Sequence, residues 1–361
     1  MTPLKILYLI NSANLFGGTP KKTLDLVKYT NNKAYIYFWS DQYGENLKKF
    51  TESGATVYTG NYGRNIPRHL FSIIKIIDEN KIDLVQTQFL FGELLSYFIK
   101  LLRPKIKIVI AFVGPFNPSG IKKFLFQKIY KKVDAFIYIS EYVKKEKIRA
   151  FNILDKKHSE IIYNGTNCRS VIINNPIRIK HYALCDIAGL IGWKNINILV
   201  DAMRIIIHEY KQSNIYLYIA GDGPMKGVLQ QNISASSLDR NVFLLGYQEN
   251  IGSLLNQCDI FLHPAYAEGF GIAVAEAMYA KKPIIVSNAG ALPELIENNR
   301  SGLVVDPFDA TEWANAIMQL INNTALAEEL ATNAKQKAEK YFSVVQFVSS
   351  YNAFYTKLLR Q

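Results

Sequence analysis

Short runs of β-branched and aromatic residues alternate with longer helix-like segments from one end of this 361-residue chain to the other. Neighbouring parallel strands need a crossover of a dozen or more residues between them, and a helix is the usual one. Alternation of this kind therefore dictates parallel sheets with helices on their faces, and here it occurs twice. Strands are expected over 5–10, 34–39, 84–87, 107–112, 135–140 and 160–163, then over 182–188, 215–220, 242–244, 260–263, 284–286 and 303–305. Helical patterns fall between them, for example over 68–79 and 92–102, and three helices starting near Thr311, Ala325 and Val344 close the chain. A polar stretch, NGTNCRSVIINNPIRIK (164–180), reads as the linker between the halves. The expected division is two α/β domains, 1–170 and 171–343, and a last helical segment, 344–361. The usual domain size of roughly 100–200 residues gives the same count.

Composition narrows the class. The chain is 49% hydrophobic and 20% charged, as a globular protein is. Its first ten residues, MTPLKILYLI, are too short an apolar run for a secretory signal, and no stretch reaches the roughly 18 apolar residues of a membrane span. Three scattered cysteines, Cys168, Cys185 and Cys258, suit a reducing cytoplasm and argue against a disulfide framework or a zinc site. The net charge of +12 is unevenly placed: residues 1–170 carry 27 Lys and Arg against 13 Asp and Glu, the remainder 15 against 17. A basic first half suits an anionic membrane surface or an anionic acceptor; solvated lysine-rich faces are the plain alternative. No nucleic-acid-binding module accompanies the charge, so nucleic acid is not an expected partner.

Open parallel sheets bind ligands beyond the carboxyl ends of their strands, and with two sheets the expected site is the cleft between them. Three post-strand segments stand out. After the first strand, Gly17 and Gly18 let backbone approach a ligand, and Thr19 with Pro20 can open a helix, although a plain tight turn reads equally well. After strand 182–188, Lys194 precedes a helix pattern and can neutralise a phosphate, or be a surface lysine. Gly221-Asp222-Gly223-Pro224 makes a further turn of the same kind. After strand 260–263 comes AEGFGIAVAEAM (267–278). Gly269 and Gly271 allow an exposed loop, and a helix from Ile272 aims its free amides, around Phe270 to Ile272, at a ligand. Glu268 sits in that loop. Glu276 lies in an apolar helix, where a carboxylate is costly without a partner. A helix dipole and a lysine hold a diphosphate, and two carboxylates hold hydroxyls beside it. The alternative is a surface loop acid and a satisfied buried one.

EGFGIAVAEAM (268–278) resembles the Glu-x7-Glu signature of the retaining family 4 glycosyltransferases. Further pieces match in order: VDA with ISE (133–141), YNG (163–165), AGDGP (220–224), LGY (245–247), CDIF (258–261), PIIVS (283–287), PELI (293–296) and GLVV (302–305). The resemblance implies the GT-B fold, two Rossmann-like domains facing across a cleft with a last helix crossing back to the first, acceptor-side domain. It implies that Glu276 binds the ribose of a nucleotide-sugar and that Glu268 sits by the transferred sugar. Lys194 and the backbone of Gly269, Phe270, Gly271 and Ile272 would then face the donor phosphates. Gly17 and Gly18 match the glycine loop that approaches the donor, and Gly223 and Tyr247 lie in the turns bordering it. Three positions depart from the family pattern. Gly189 stands where an arginine is usual, no histidine follows strand 107–112, and Thr19-Pro20-Lys21-Lys22 lacks the usual acid after the glycine pair. Lys21 or Lys22 is a candidate to replace the missing arginine.

The expected function is transfer of a sugar from a nucleotide-sugar, by default a UDP-sugar, to a hydroxyl of a glycan or lipid-linked acceptor, with retention. Glu268 and Lys194 are the expected catalytic residues. The nucleotide-sugar is a substrate, so no cofactor is expected; no metal is either, since paired-aspartate clusters are absent and the five histidines are dispersed. A degenerate paralogue that binds donor without turnover and a sugar-nucleotide epimerase are the alternatives. The segment IKKFLFQKIYKKV (121–133) interleaves five lysines with Phe124, Leu125, Phe126, Ile129 and Tyr130, as a helix lying on an anionic membrane does. The expected location is accordingly cytoplasmic, peripheral on the inner membrane face. A helix packed on the sheet with its lysines in water fits the same pattern.

Overall fold

The structure, a computed structural model, describes residues 3–14, 18–40, 44–166 and 182–361. It divides into two compact units. Met1–Gly165 and Val344–Gln361 form one, and Thr166–Ser343 the other.

The first unit holds a seven-stranded sheet: β1 Lys5–Ile10, β2 Lys33–Phe38, β3 Thr56–Thr59, β4 Leu84–Thr87, β5 Lys107–Phe112, β6 Ala135–Tyr138 and β7 Ser159–Ile161. Their spatial order is β3-β2-β1-β4-β5-β6-β7, with every pairing parallel. Central strands such as KILYLI and KIVIAF are buried nearly throughout, because helices cover both faces. Strand β3 was not expected. As TVYT on the sheet edge it exposes both threonines, and its polar ends read as loop. The expected strand 135–140 ends early, at Tyr138, because Ser140 turns out to cap the helix Glu141–Ala150, its side chain accepting a hydrogen bond from the Val143 amide at 3.1 Å.

The last helix, Val344–Leu359, belongs to this unit. Phe347, Val348, Tyr351, Phe354, Tyr355 and Leu358 join one core with Ile6, Tyr8 and Ile10 of β1, and the Tyr355 hydroxyl donates to Gln86 Oε1 on β4. Of the two valines that open the helix, Val345 is 78% exposed and Val344 is buried. Val344 begins the i, i+3, i+4, i+7 series that Phe347, Val348 and Tyr351 continue, and Val345 falls about 100° off it.

The second unit repeats the plan with six parallel strands: β8 Tyr182–Ile187, β9 Ile215–Ala220, β10 Val242–Gly246, β11 Ile260–His263, β12 Ile284–Ser287 and β13 Leu303–Val305. The order is β10-β9-β8-β11-β12-β13. The chain steps outward from β8 to β9 and β10, then returns to lay β11 on the other side of β8. That reversal is the topological switch point, where the loops after β8 and β11 diverge and leave a crevice for a ligand.

Candidate functional site

Two segments of the second unit flank that switch point: the turn Gly192–Lys194 after β8, and residues 264–271 after β11. Backbone bonds fix both. The Tyr266 amide donates to Trp193 O at 3.1 Å, and the Ala291 amide to Glu268 O at 2.9 Å. Gly290 supports this loop from behind, with a φ of +60°. A Cβ there would lie 2.6 Å from Glu268 O, so a side chain would push the Glu268 backbone away.

Glu268 belongs to a line of four ionisable side chains. The Lys194 ammonium donates to Glu268 Oε2, and His263 Nε2 lies 3.2 Å from the same oxygen. His263 Nδ1 lies 3.0 Å from Asp186 Oδ1. Asp186 and His263 are buried, at 0% and 1% side-chain exposure, while Glu268 and Lys194 keep 15% and 17%. Burial pushes the Glu268 carboxyl up, but the Lys194 charge and the His263 bond more than offset it, and the group is held well below the usual carboxylate range. Burial and the nearby Lys194 push the His263 imidazole down. Its bonds to Asp186 and Glu268 outweigh both, and its pKa is raised above 6.5. The line runs inward from a partly exposed lysine to Asp186, whose other oxygen, Oδ2, has no hydrogen-bond partner among the described residues.

The remaining expected residues take varied positions. Gly271 caps the helix Ile272–Tyr279 from a left-handed conformation, φ +100°, and Glu276 is buried at 6% exposure one turn further on. Phe270 is buried too, its ring set edge-on to Phe342 at 5.5 Å. Gly269 lies in the loop beside Glu268. Gly223, in the turn after β9, lies against the loop after β8, where a Cβ would come within 2.5 Å of Leu190 O. Tyr247, just after β10, is 54% exposed. Gly18 belongs to the first unit, where it opens the helix Gly18–Tyr29; Gly17 falls outside the described residues. Asp186 and His263 were not anticipated. Each lies in a run that reads as strand, and the available signals were an acid inside YALCDI and a histidine at the end of IFLH.

Two family models cover most of the chain. Glycosyl transferases group 1 matches residues 175–337, and Glycosyltransferase Family 4 matches residues 36–170. The chain belongs to the GT-B-type glycosyltransferases. An uncharacterized glycosyltransferase of Methanocaldococcus jannaschii is 25% identical over 348 residues, 90% of each chain. The N,N'-diacetylbacillosaminyl-diphospho-undecaprenol alpha-1,3-N-acetylgalactosaminyltransferase of Campylobacter jejuni is 25% identical over 343 residues, 87% of this chain and 89% of that one. Among solved structures, a glycosyltransferase from Rickettsia africae superposes with a TM-score of 0.87 at 20% identity over the full length of both. Anabaena HepE in complex with UDP-glucose does so with a TM-score of 0.86 at 21% identity over 98% of this chain and all of that one.

Two features of this glycosyltransferase follow from its departures. At Gly189 a Cβ would meet nothing within 4 Å, so the place of the usual arginine is open space. Lys22, one of the two candidates to replace that arginine, has partners of its own. It is buried in the first unit, its ammonium bonded to Gly165 O at 2.6 Å and to Asp25 at 2.7 Å. The helix Ile121–Lys132 divides between its two readings. Phe126, Ile129 and Tyr130 pack inward, whereas Ile121, Phe124 and Leu125 stand 89%, 71% and 41% exposed among exposed lysines. Among the described residues, no helix is long and apolar enough to cross a membrane, and no three His, Cys, Asp or Glu gather as a metal site would need.

Proposed function

We propose that the protein transfers a sugar from a UDP-sugar to a hydroxyl of a glycan or lipid-linked acceptor, without a metal and with retention of anomeric configuration. The carrying observation is the Lys194–Glu268 ion pair at the switch point of the second unit, a cation and an ionised carboxylate side by side where a ligand binds. The donor diphosphate binds Lys194 and the amides that open the helix Ile272–Tyr279, where the helix dipole favours an anion. Glu276 holds the ribose hydroxyls. Gly269, Phe270, Gly271 and Ile272 line the phosphates with backbone, and Gly223 and Tyr247 border the nucleoside. Glu268, ionised beside the transferred sugar, stabilises the positive charge that grows on the anomeric carbon as its bond to the phosphate oxygen breaks. The acceptor oxygen bonds that carbon from the same face, and its proton passes to the departing diphosphate.

Several observations support this reading. The complexes of Anabaena HepE contain UDP and UDP-glucose, and the Campylobacter relative is named for a diphospho-undecaprenol acceptor. Exposed Ile121, Phe124 and Leu125 among lysines suit a peripheral position on an anionic membrane, where a lipid-linked acceptor resides. Release of nucleotide from UDP-, GDP- and ADP-sugars by purified protein tests the donor class. Glu276→Ala is expected to raise donor KM, and Glu268→Ala to lower kcat. Wild-type kinetics in both variants would place the site elsewhere. The empty position at Gly189 favours one rival, a protein that binds donor without turnover; tight UDP binding with no product from any acceptor would identify it.

A further inference from the structure

We propose that Asp186 and His263 are positioning residues that keep Glu268 oriented and charged once the donor has drawn Lys194 away from it. The inference rests on the donor-site reading above and goes beyond it, because neither residue touches the ligand space.

Two anions compete for one cation at this site. Without donor, the Lys194 ammonium is bonded to Glu268. An arriving diphosphate is the more highly charged partner, and Lys194 is the lysine placed beside the loop that receives it. A largely buried carboxylate that loses its cation takes up a proton, and a neutral acid does nothing for a developing positive charge. Glu268 has a second source of charge. His263 Nε2 lies 3.2 Å from Oε2, and Asp186 Oδ1 lies 3.0 Å behind His263 Nδ1. With both ring nitrogens facing carboxylate oxygens, each must donate, and the imidazolium is the form that donates from both. Asp186 is fully buried and its Oδ2 has no hydrogen-bond partner among the described residues, so His263 is the side chain its carboxyl group is paired with there. A buried carboxylate with half its acceptors idle is a poor packing choice and a good way to hold an imidazolium.

The charged groups facing His263 are Asp186 on β8, Glu268 on the loop after β11, and Lys194 on the turn after β8. From its own strand Phe261 stacks on the ring at 6.2 Å, and next to Asp186 the Cys185 thiol is pushed up by burial and stays uncharged. Of these groups, Lys194 is the one that disfavours the imidazolium. Its departure to the diphosphate therefore strengthens the hold of His263 on Glu268.

The sign of the pH dependence follows. Turnover needs His263 protonated, so kcat falls as pH rises through the His263 value, which lies above 6.5 in the free protein. Asp186→Asn keeps the shape and removes the charge, so the alkaline limb of kcat should move about one to three pH units toward acid, with donor KM nearly unchanged. Asp186→Glu should restore part of the shift. A merely structural pair would change melting temperature and leave the position of the limb alone. Glu268→Ala is the control. If it keeps wild-type turnover, the donor-site reading fails; if it is impaired while Asp186→Asn keeps the wild-type profile, this inference alone fails. Should Asp186→Asn not fold, imidazole NMR of the wild-type chain decides, with and without UDP. His263 titrating above its ordinary value and rising further with UDP supports the relay. Titration at or below about 6.5 in both states overturns it.

Discussion

Placing an arginine at Gly189 should strengthen donor binding. Gly189 is exposed, directly after β8, and a Cβ built there meets nothing within 4 Å. Its φ is not among the positive values, so a side chain adds no backbone strain. The loop is already fixed: the Leu190 amide donates to Asp222 O at 3.0 Å and the Ile191 amide to Gly189 O at 2.9 Å. The guanidinium would join Lys194 on the phosphates of the proposed donor. A charge-assisted hydrogen bond is worth about 1.5–3 kcal/mol. Ordering a long side chain costs up to about 2 kcal/mol, and exposure screens the charge further. The net is about 1 kcal/mol, roughly fivefold in affinity at 1.4 kcal/mol per decade. Calorimetric titration of UDP into Gly189→Arg and wild type would read this, with Gly189→Ala expected to match wild type. The gain should shrink at high salt and be absent for uridine. Equal UDP affinity in the arginine variant and wild type, with both folded, would refute the placement of the diphosphate beside this loop.

Phe354→Ala should destabilise the first unit by about 3–5 kcal/mol, because it empties a fully buried site between the last helix and the sheet. Val345→Ala, about two and a half turns earlier on the same helix and exposed, should leave the melting temperature unchanged. The charge line predicts a pH optimum of stability. His263, raised in the folded chain, contributes stability fully present below about 6.5 and lost as pH rises through its folded value. Glu268, lowered, contributes stability present above about 4.3 and lost as pH falls below it. Melting curves across this range should lose the alkaline slope in His263→Gln and part of the acid slope in Glu268→Gln; unchanged slopes would contradict the assignment. Co-sedimentation with anionic vesicles should occur at low salt and weaken when Lys122, Lys123, Lys128, Lys131 and Lys132 become glutamine. Equal binding to neutral vesicles would exclude the electrostatic part, each lysine being worth about 1 kcal/mol at such a surface.

The doubly wound architecture was legible because central parallel strands are buried on both faces and so read as unbroken apolar runs between helical periods. The edge strand β3 was not, since one-sided exposure leaves TVYT with polar ends. Strand ends were blurred where a capping residue follows at once, as at Ser140. At the site, Lys194 and Glu268 were found because they sit in loops, where a charge beside glycines has no structural excuse. What no spacing reveals is that residues 74 positions apart share an ion pair, for that depends on β11 returning to the side of β8. Asp186 and His263 were hidden for the opposite reason. A lone polar residue in an apolar strand reads as a tolerated exception, and only the parallel pairing of β8 with β11 turns two exceptions into partners. Each of the two is costly alone: a desolvated carboxylate and a desolvated imidazole. Together they join Glu268 and Lys194 in one line of side chains that runs from the buried Asp186 out to the partly exposed Lys194. A buried charge demands a partner in the helix at Glu276, and more so at Asp186 and His263, where the two partners come from separate strands, β8 and β11.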